Sequence, residues 1–242
     1  MAHDIAVVTG ASGGIGKAIA KLLSEKSEGN LRIGIHYRGN AEAALALHSE
    51  IKNSFLIQAD LSTVSGRSAL LEAALKEGNP YVLINNAGID RPHEPALNVQ
   101  EESIDLILNV NLKTPILLMR DFAKEMVKSG SGVIVNVSSI LARKALIGSA
   151  VYRASKAALE AATRQFALEL GLKGVRVNAV SPGFIETAMT ETIPDETREH
   201  IRKEISLGQF GSPEAVALAV GQLVENDYLN GVILAVDGGM EL

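Results

Sequence analysis

Short apolar runs rich in β-branched residues alternate with helical patterns from one end of this 242-residue chain to the other. The runs fall at 4–9, 31–36, 54–59, 80–85, 132–138, 175–181 and 231–236 and read as buried strands. Helical spacing of apolar residues covers 14–26, 41–52, 65–77, 101–129, 150–172 and 213–225, with a shorter polar helix at 187–205. Strands separated by helices imply right-handed crossovers, so the expected architecture is a seven-stranded parallel sheet with helices on both faces. No linker, repeat or low-complexity stretch divides the chain, and 1–242 is expected to form a single domain.

Ligands of such sheets bind beyond the carboxyl ends of the strands. Chemistry-bearing residues gather there: Thr9-Gly10 after the first strand, Asn85-Asn86-Ala87-Gly88 after the fourth, Ser138-Ser139 after the fifth and Pro182-Gly183 after the sixth. The first of these turns continues as Gly10-Ala11-Ser12-Gly13-Gly14-Ile15-Gly16 into a helix. Glycine at that junction lets the backbone bend sharply and approach a ligand, and the helix N-terminus offers free N–H groups to a phosphate. The spacing is a variant of the dinucleotide fingerprint of doubly wound, Rossmann-type folds. A nucleotide-triphosphate loop is the rival, because Gly16-Lys17 matches its end. That motif fails at Ala11, where its first glycine belongs, and at Ala18, where a Mg-binding Ser or Thr belongs.

Composition removes other classes. Hydrophobic residues make up 47% of the chain, enough for a sizeable core. A formal net charge of −5 without a basic cluster argues against nucleic acid or an anionic membrane as partner. Cysteine is absent, which excludes disulfides and thiolate metal sites. His3, His36, His48, His93 and His200 never fall at ligand spacing on one helix, so no metal is expected. No apolar run reaches transmembrane length, and Met1-Ala2-His3-Asp4 leads straight into a strand; a cytoplasmic location is expected.

Tyr152 and Lys156 stand four residues apart in a helical pattern, which places phenol and ammonium on one face. A phenol of pKa about 10 is a poor acid or base near neutrality, and a neighbouring cation favours phenolate and lowers that value. Alone, the pair also fits a packed tyrosine beside a solvated lysine. Ser139, thirteen residues upstream, and the glycine turn give it company.

These pieces together resemble the short-chain dehydrogenase/reductase family over essentially the whole chain: TGASGGIG at 9–16, DLS at 60–62, NNAG at 85–88, Asn111 in NVNL, Ser139, YRASK at 152–156 and NAVSPGFIETAM at 178–189. Within the family the chain is most similar to 3-oxoacyl-acyl-carrier-protein reductases of fatty acid biosynthesis, through PGFIET-x-M, the run Gly208 to Glu214, and the ending Asp237-Gly238-Gly239-Met240. The resemblance implies an oxidoreductase in which Tyr152 donates a proton to the carbonyl oxygen as hydride arrives from a nicotinamide. Ser139 would bind the same oxygen, Lys156 would lower the tyrosine pKa and bind the nicotinamide ribose, and Asn111 would hold a relay water. It also implies cofactor contacts from Gly10, Ser12, Gly13, Gly14, Ile15 and Gly16, from Asp60 with Leu61 at the adenine, and from Asn86, Ala87 and Gly88 at the adenosine side. Pro182 and Gly183 would also bind the cofactor, Ile185 and Thr187 would contact its carboxamide and pyrophosphate, and 187–210, broken at Pro194, would be the substrate lid.

An acid ending the second strand would bind the ribose hydroxyl of NAD; here the stretch is His36-Tyr37-Arg38-Gly39-Asn40, with no acid before Glu42. Arg38 suits a 2′-phosphate, so NADP(H) is favoured over NAD(H), although Gly13 stands where many NADPH-using relatives carry a basic residue. Lys128 and Lys173 stand where carrier-protein-binding relatives carry basic residues, which makes acyl carrier protein a possible partner. CoA thioesters, sugars, polyols and steroids are the alternative substrates, and a non-catalytic dinucleotide sensor is the alternative class. A homotetramer is expected, paired through 101–129 and 150–172 and through the C-terminal strand.

Overall fold

The computed structural model describes residues 4–90 and 95–242. Seven parallel strands lie in the order β3-β2-β1-β4-β5-β6-β7. They are β1 (Asp4–Val8), β2 (Leu31–Tyr37), β3 (Ser54–Gln58), β4 (Asn79–Asn85), β5 (Gly132–Val137), β6 (Val175–Pro182) and β7 (Ile233–Val236). The order reverses between β1 and β4, so a crevice opens beyond their carboxyl ends. Register brings those ends level: Val8 pairs with Ile35 of β2 and with Ile84 of β4.

Two apolar layers sandwich the sheet, because alternate strand residues face opposite sides. Ala6, Val8, Ile33, Ile35, Val82 and Ile84 point to one side, against α1 (Gly14–Lys26), α2 (Ala41–Glu50) and α9 (Pro213–Glu225). Ile5, Val7, Leu83, Ile134 and Val177 point to the other, against α3 (Val64–Glu77), α5 (Thr114–Ser129) and α6 (Ala150–Leu170). Burying each such side chain stabilises the fold by about 1.5–3 kcal/mol before entropy is subtracted. A third, smaller cluster of Ile140, Leu141, Ile201, Ile205, Phe210 and Met240 lies beyond the sheet.

Two expected helices are interrupted. The 101–129 stretch is α4 (Glu101–Leu108), a π-helical segment Asn109–Lys113, and then α5. An extra residue per turn leaves the apolar periodicity on either side intact, so the sequence pattern does not reveal it. The 187–205 stretch divides into α7 (Ala188–Glu191) and α8 (Asp195–Glu204), because Pro194 cannot donate within a helix and serves as the cap of the second. Of the five histidines, His36 is buried in β2, His48 bonds Ser54 at 2.7 Å, and His200 sits on α8. His3 and His93 lie outside the described residues. Among the described residues, no helix is long and apolar enough to cross a membrane.

Candidate active site

The glycine turn is built from backbone. Gly10 has φ +66°, and a side chain there would meet Ala87 and Asn86 at 3.1 Å. Gly16 packs so closely that a Cβ would sit 2.5 Å from Asn86 Nδ2. Asn86 Nδ2 donates to the carbonyls of Thr9 at 2.8 Å and Gly10 at 3.1 Å. Thr9 Oγ1 in turn accepts from the N–H groups of Asn86 and Ala87, at 2.9 and 3.0 Å. The ends of β1 and β4 are thereby cross-linked, and Gly10, Gly13, Gly14 and Ile15 form one wall of a cleft of about 370 Å³. No side chain caps α1, and no acid lies in its first turn. Gly13 has open space where a side chain would begin. Uncapped N–H groups beside an open glycine suit a diphosphate, so the residues present fit a dinucleotide.

Asn86, Ala87 and Gly88 line the same cleft, as do Pro182, Gly183, Ile185 and Thr187 at the end of β6. The Thr187 methyl lies 3.2 Å from where a Gly14 side chain would start, so the base of the 187–210 segment meets the glycine turn. Other expected residues stand off from this wall. Ser12 is half-buried, and Arg38 follows β2 directly at the surface. Asp60 is exposed too, with Oδ1 accepting from Ser62 N–H at 2.9 Å and Ser62 Oγ at 2.7 Å, which holds its carboxyl below the ordinary range with help from Arg38. Leu61 is buried, its carbonyl accepting from Arg67 and Thr114, both at 2.8 Å.

At the far end of the cleft, α6 brings Tyr152 and Lys156 up to Ser139. One face of α6 buries Ser155, Leu159, Thr163 and Ala167 at four-residue spacing, and Thr163 Oγ1 accepts from Asn136 of β5 at 2.9 Å. Asn85 of β4 bonds the same Asn136 at 2.8 Å, so a buried polar chain fixes the helix to the sheet. Ser139 Oγ accepts from Leu141 N–H at 3.2 Å, which caps a short 3₁₀ turn, and Ser139 also faces the Tyr152 phenol. Lys156 Nζ donates to the Val137 carbonyl at 2.8 Å and lies 5.6 Å from the centre of the Tyr152 ring. Asn111, within the π-helical segment, accepts from Ile89 N–H at 2.9 Å and donates to Ile89 O at 2.8 Å. A side chain on Gly88 would meet Asn111 Oδ1 at 3.3 Å and Lys156 Nζ at 3.6 Å, so this glycine keeps a passage open between them.

The electrostatics differ from the sequence expectation. Burial pushes the Tyr152 phenol up to about 12, against a downward pull from Ser139 and a further upward push from Asp90. Burial drives Lys156 down to about 8, with Asp90 opposing. The expected lowering of the phenol by Lys156 is absent, because the amine turns to Val137 O and desolvation of the ring dominates. Asp90 was not anticipated from sequence; nothing in the pattern after Gly88-Ile89 marks it.

Tyr152 and Ser139 also border a second cavity of about 820 Å³, which shares Gly183, Met189 and Thr190 with the first. Its walls are Ile140, Leu141, Leu146, Phe184, Ile193 and Ile201, and Lys144, His200 and Glu204 form a polar patch. Segment 187–210 closes one side, held by Arg198, which donates to Thr190 O at 2.7 Å, pairs with Glu186 at 2.6 Å and stacks 4.6 Å from the Phe210 ring centre. Lys128 and Lys173 stand elsewhere: they precede the amino ends of β5 and β6, opposite the cleft, and Lys128 is paired with Glu125 at 2.8 Å.

Residues 10–241 match the sequence model of a family described as enoyl-(acyl carrier protein) reductase. The chain is 37% identical to carbonyl reductase family member 4 of Xenopus laevis, covering 98% of each. It is 35% identical to a 3-oxoacyl-acyl-carrier-protein reductase of Rickettsia prowazekii, covering 97% of this chain and 95% of that one. A structure from Beutenbergia cavernae, described as an NAD(P)-dependent gluconate 5-dehydrogenase with NADP at low occupancy, superposes with a TM-score of 0.91 at 33% identity, covering 99% and 97%. Together with the parallel sheet and the glycine-turn cleft, these likenesses place the chain in the short-chain dehydrogenase/reductase family of NAD(P)-binding oxidoreductases.

Proposed function

We propose that the protein reduces a 3-oxoacyl thioester to the 3-hydroxyacyl thioester with NADPH. The observation that carries this reading is the position of Tyr152 and Ser139 on the boundary between a cleft fit for a dinucleotide and a largely apolar cavity. A ketone held there has a cofactor on one side and room for an acyl chain on the other. The relatives named 3-oxoacyl-acyl-carrier-protein reductases support the choice of substrate class.

Bound nicotinamide supplies the hydride. Ser139 Oγ donates to the carbonyl oxygen and orients it, while Tyr152, held protonated by its raised pKa, gives that oxygen its proton. Lys156, titrating near 8, holds the nicotinamide ribose and returns a proton to Tyr152, with Asn111 guiding a water through the passage beside Gly88. Gly10 to Gly16 hold the diphosphate, with Ser12 at their edge. Asn86, Ala87 and Gly88 hold the adenosine ribose side, Asp60 and Leu61 the adenine, and Pro182, Gly183, Ile185 and Thr187 the carboxamide side. Arg38, exposed beyond β2, takes the 2′-phosphate and sets the preference for NADPH.

One domain with 187–210 as its lid, working in the cytoplasm as a tetramer, completes the reading. Ala154, Ala157 and Ala161 are exposed on α6 and Leu168 is 78% exposed, which leaves a close-packing face for a second copy. Light scattering at micromolar concentration tests this against the 25.6 kDa chain mass; about four times that mass is expected. Oxidation of NADPH and NADH against acetoacetyl-CoA, an acetoacetyl carrier-protein thioester, keto-sugars and keto-steroids, with reduction of NADP+ and NAD+ against sugar alcohols and other polyols, tests the function. Turnover of the thioesters with NADPH is expected; turnover only of sugars, polyols or steroids overturns the substrate, and binding without turnover of any of them leaves a sensor.

A further inference from the structure

The ring of His36 joins two loops on the cofactor side of the sheet. It is 3% exposed in β2. Its Nδ1 accepts the Gly10 N–H at 3.0 Å, and its Nε2 lies 3.1 Å from the Ala59 carbonyl. Its own carbonyl accepts the Ala11 N–H at 2.8 Å. A backbone N–H bonds only to an unprotonated ring nitrogen, so the two contacts together require the neutral ring with its hydrogen on Nε2. β1 ends at Val8, which leaves the Gly10 N–H outside the strand ladder and dependent on this nitrogen.

We propose that His36 is a positioning residue for the dinucleotide, a rigid neutral strut that sets the Gly10 turn against the loop carrying Asp60. The inference rests on the reading of the first cleft as the cofactor site. It concerns a residue with no place in that cleft's wall, acting through Gly10 at one end and Ala59-Asp60 at the other. The charged group acting on the ring is Asp60, from the loop after β3, which is itself within electrostatic reach of Arg38 at the end of β2. Burial holds the ring below its ordinary pKa, outweighing the upward pulls of the Ala59 carbonyl and of Asp60. The neutral form demanded by the Gly10 bond is therefore the form the surroundings maintain.

Three substitutions separate the strut from mere filling of space. His36→Leu keeps bulk and removes both polar atoms. His36→Asn retains an acceptor near Nδ1, whereas His36→Gln reaches towards Ala59 and leaves Gly10 without one. Dissociation constants for NADPH and NADH, read by fluorescence of the bound dinucleotide, are compared with kcat and KM. His36→Leu is expected to weaken both cofactors by about tenfold, the cost of stranding a part-buried N–H, with the loss in cofactor KM rather than kcat. His36→Asn is expected to stay within about threefold of wild type and His36→Gln to fall nearer the Leu variant. Should the Leu variant fail to fold, the order Asn above Gln still decides. Equal binding by Asn and Gln, or unaltered binding by Leu, overturns the role of His36 alone. A wild-type chain that binds neither cofactor overturns the cleft reading and this inference together.

Discussion

The two sides of Tyr152 are made differently. On the cofactor side, the wall is mostly backbone: glycines, and strand ends that the Thr9 hydroxyl and the Asn86 side-chain amide tie together above a core in which Ile5, Val7, Val8 and Ile84 are fully buried. On the substrate side, the wall is side chain: a six-residue cluster under α8, an arginine stacked on Phe210, and exposed Met189 and Ile147 near the opening. Backbone walls recognise what every dinucleotide shares, and most side-chain changes leave them alone. Side-chain walls can be rewritten one residue at a time, which is where substrate choice within one family is free to diverge.

Tyr152→Phe breaks the contrast at its seam. Removing the hydroxyl is expected to lower kcat by about 10²–10⁴-fold while the dinucleotide dissociation constant stays within about twofold. Near-normal turnover would remove the phenol from the chemistry. The next effect belongs to the cofactor side. Arg38→Asp is expected to weaken NADPH by roughly 10–100-fold, in line with loss of a charge-assisted phosphate contact, and to spare NADH. Equal losses for both cofactors would show that the residue does not read the phosphate.

The pH profile belongs to the seam as well. A lysine lowered to about 8 is protonated below that pH and neutral above it, so the reduction rate is expected to decline about tenfold per pH unit above 8. Asp90 raises the lysine, so Asp90→Asn is expected to move the inflection to lower pH. An inflection that stays in place removes Asp90 from the electrostatics. The smallest effect lies on the substrate side. Arg198→Ala frees the lid from Glu186, Thr190 O and the Phe210 ring, and a several-fold rise in substrate KM is expected with cofactor affinity intact. A matching loss of cofactor affinity would show that the two walls are one mechanical unit.

This difference also governs what could be read from sequence. The strands agree with the structure to within about two residues because buried parallel strands are continuous apolar runs. The need for glycine at Gly10, Gly14 and Gly16 is legible because positive φ or close backbone and side-chain approach restricts residue type there, whereas Gly13 has room for a side chain. The π-helical segment at Asn109–Lys113 was hidden, since one inserted residue shifts a helix face without altering composition. The direction of the Tyr152 shift was also hidden, because the helical spacing of Tyr152 and Lys156 reports proximity and carries no information about burial. His36 reads as one more residue of a buried strand until the Gly10 N–H is seen pointing at its ring.

The packing of α1 on α9 has a consequence for synthesis of the chain. Lys26 reaches Glu225 at 2.7 Å, a pair 199 residues apart, and Gly221 lies where any side chain would press on Leu22. The helix that begins at the glycine turn therefore waits for nearly the whole sequence to leave the ribosome before its outer face is covered. Contacts so distant along the chain make for slow folding, since a long loop must close before they form. A nascent chain halted before α9 would show the apolar flank of α1 to solvent, an invitation to chaperones or to aggregation.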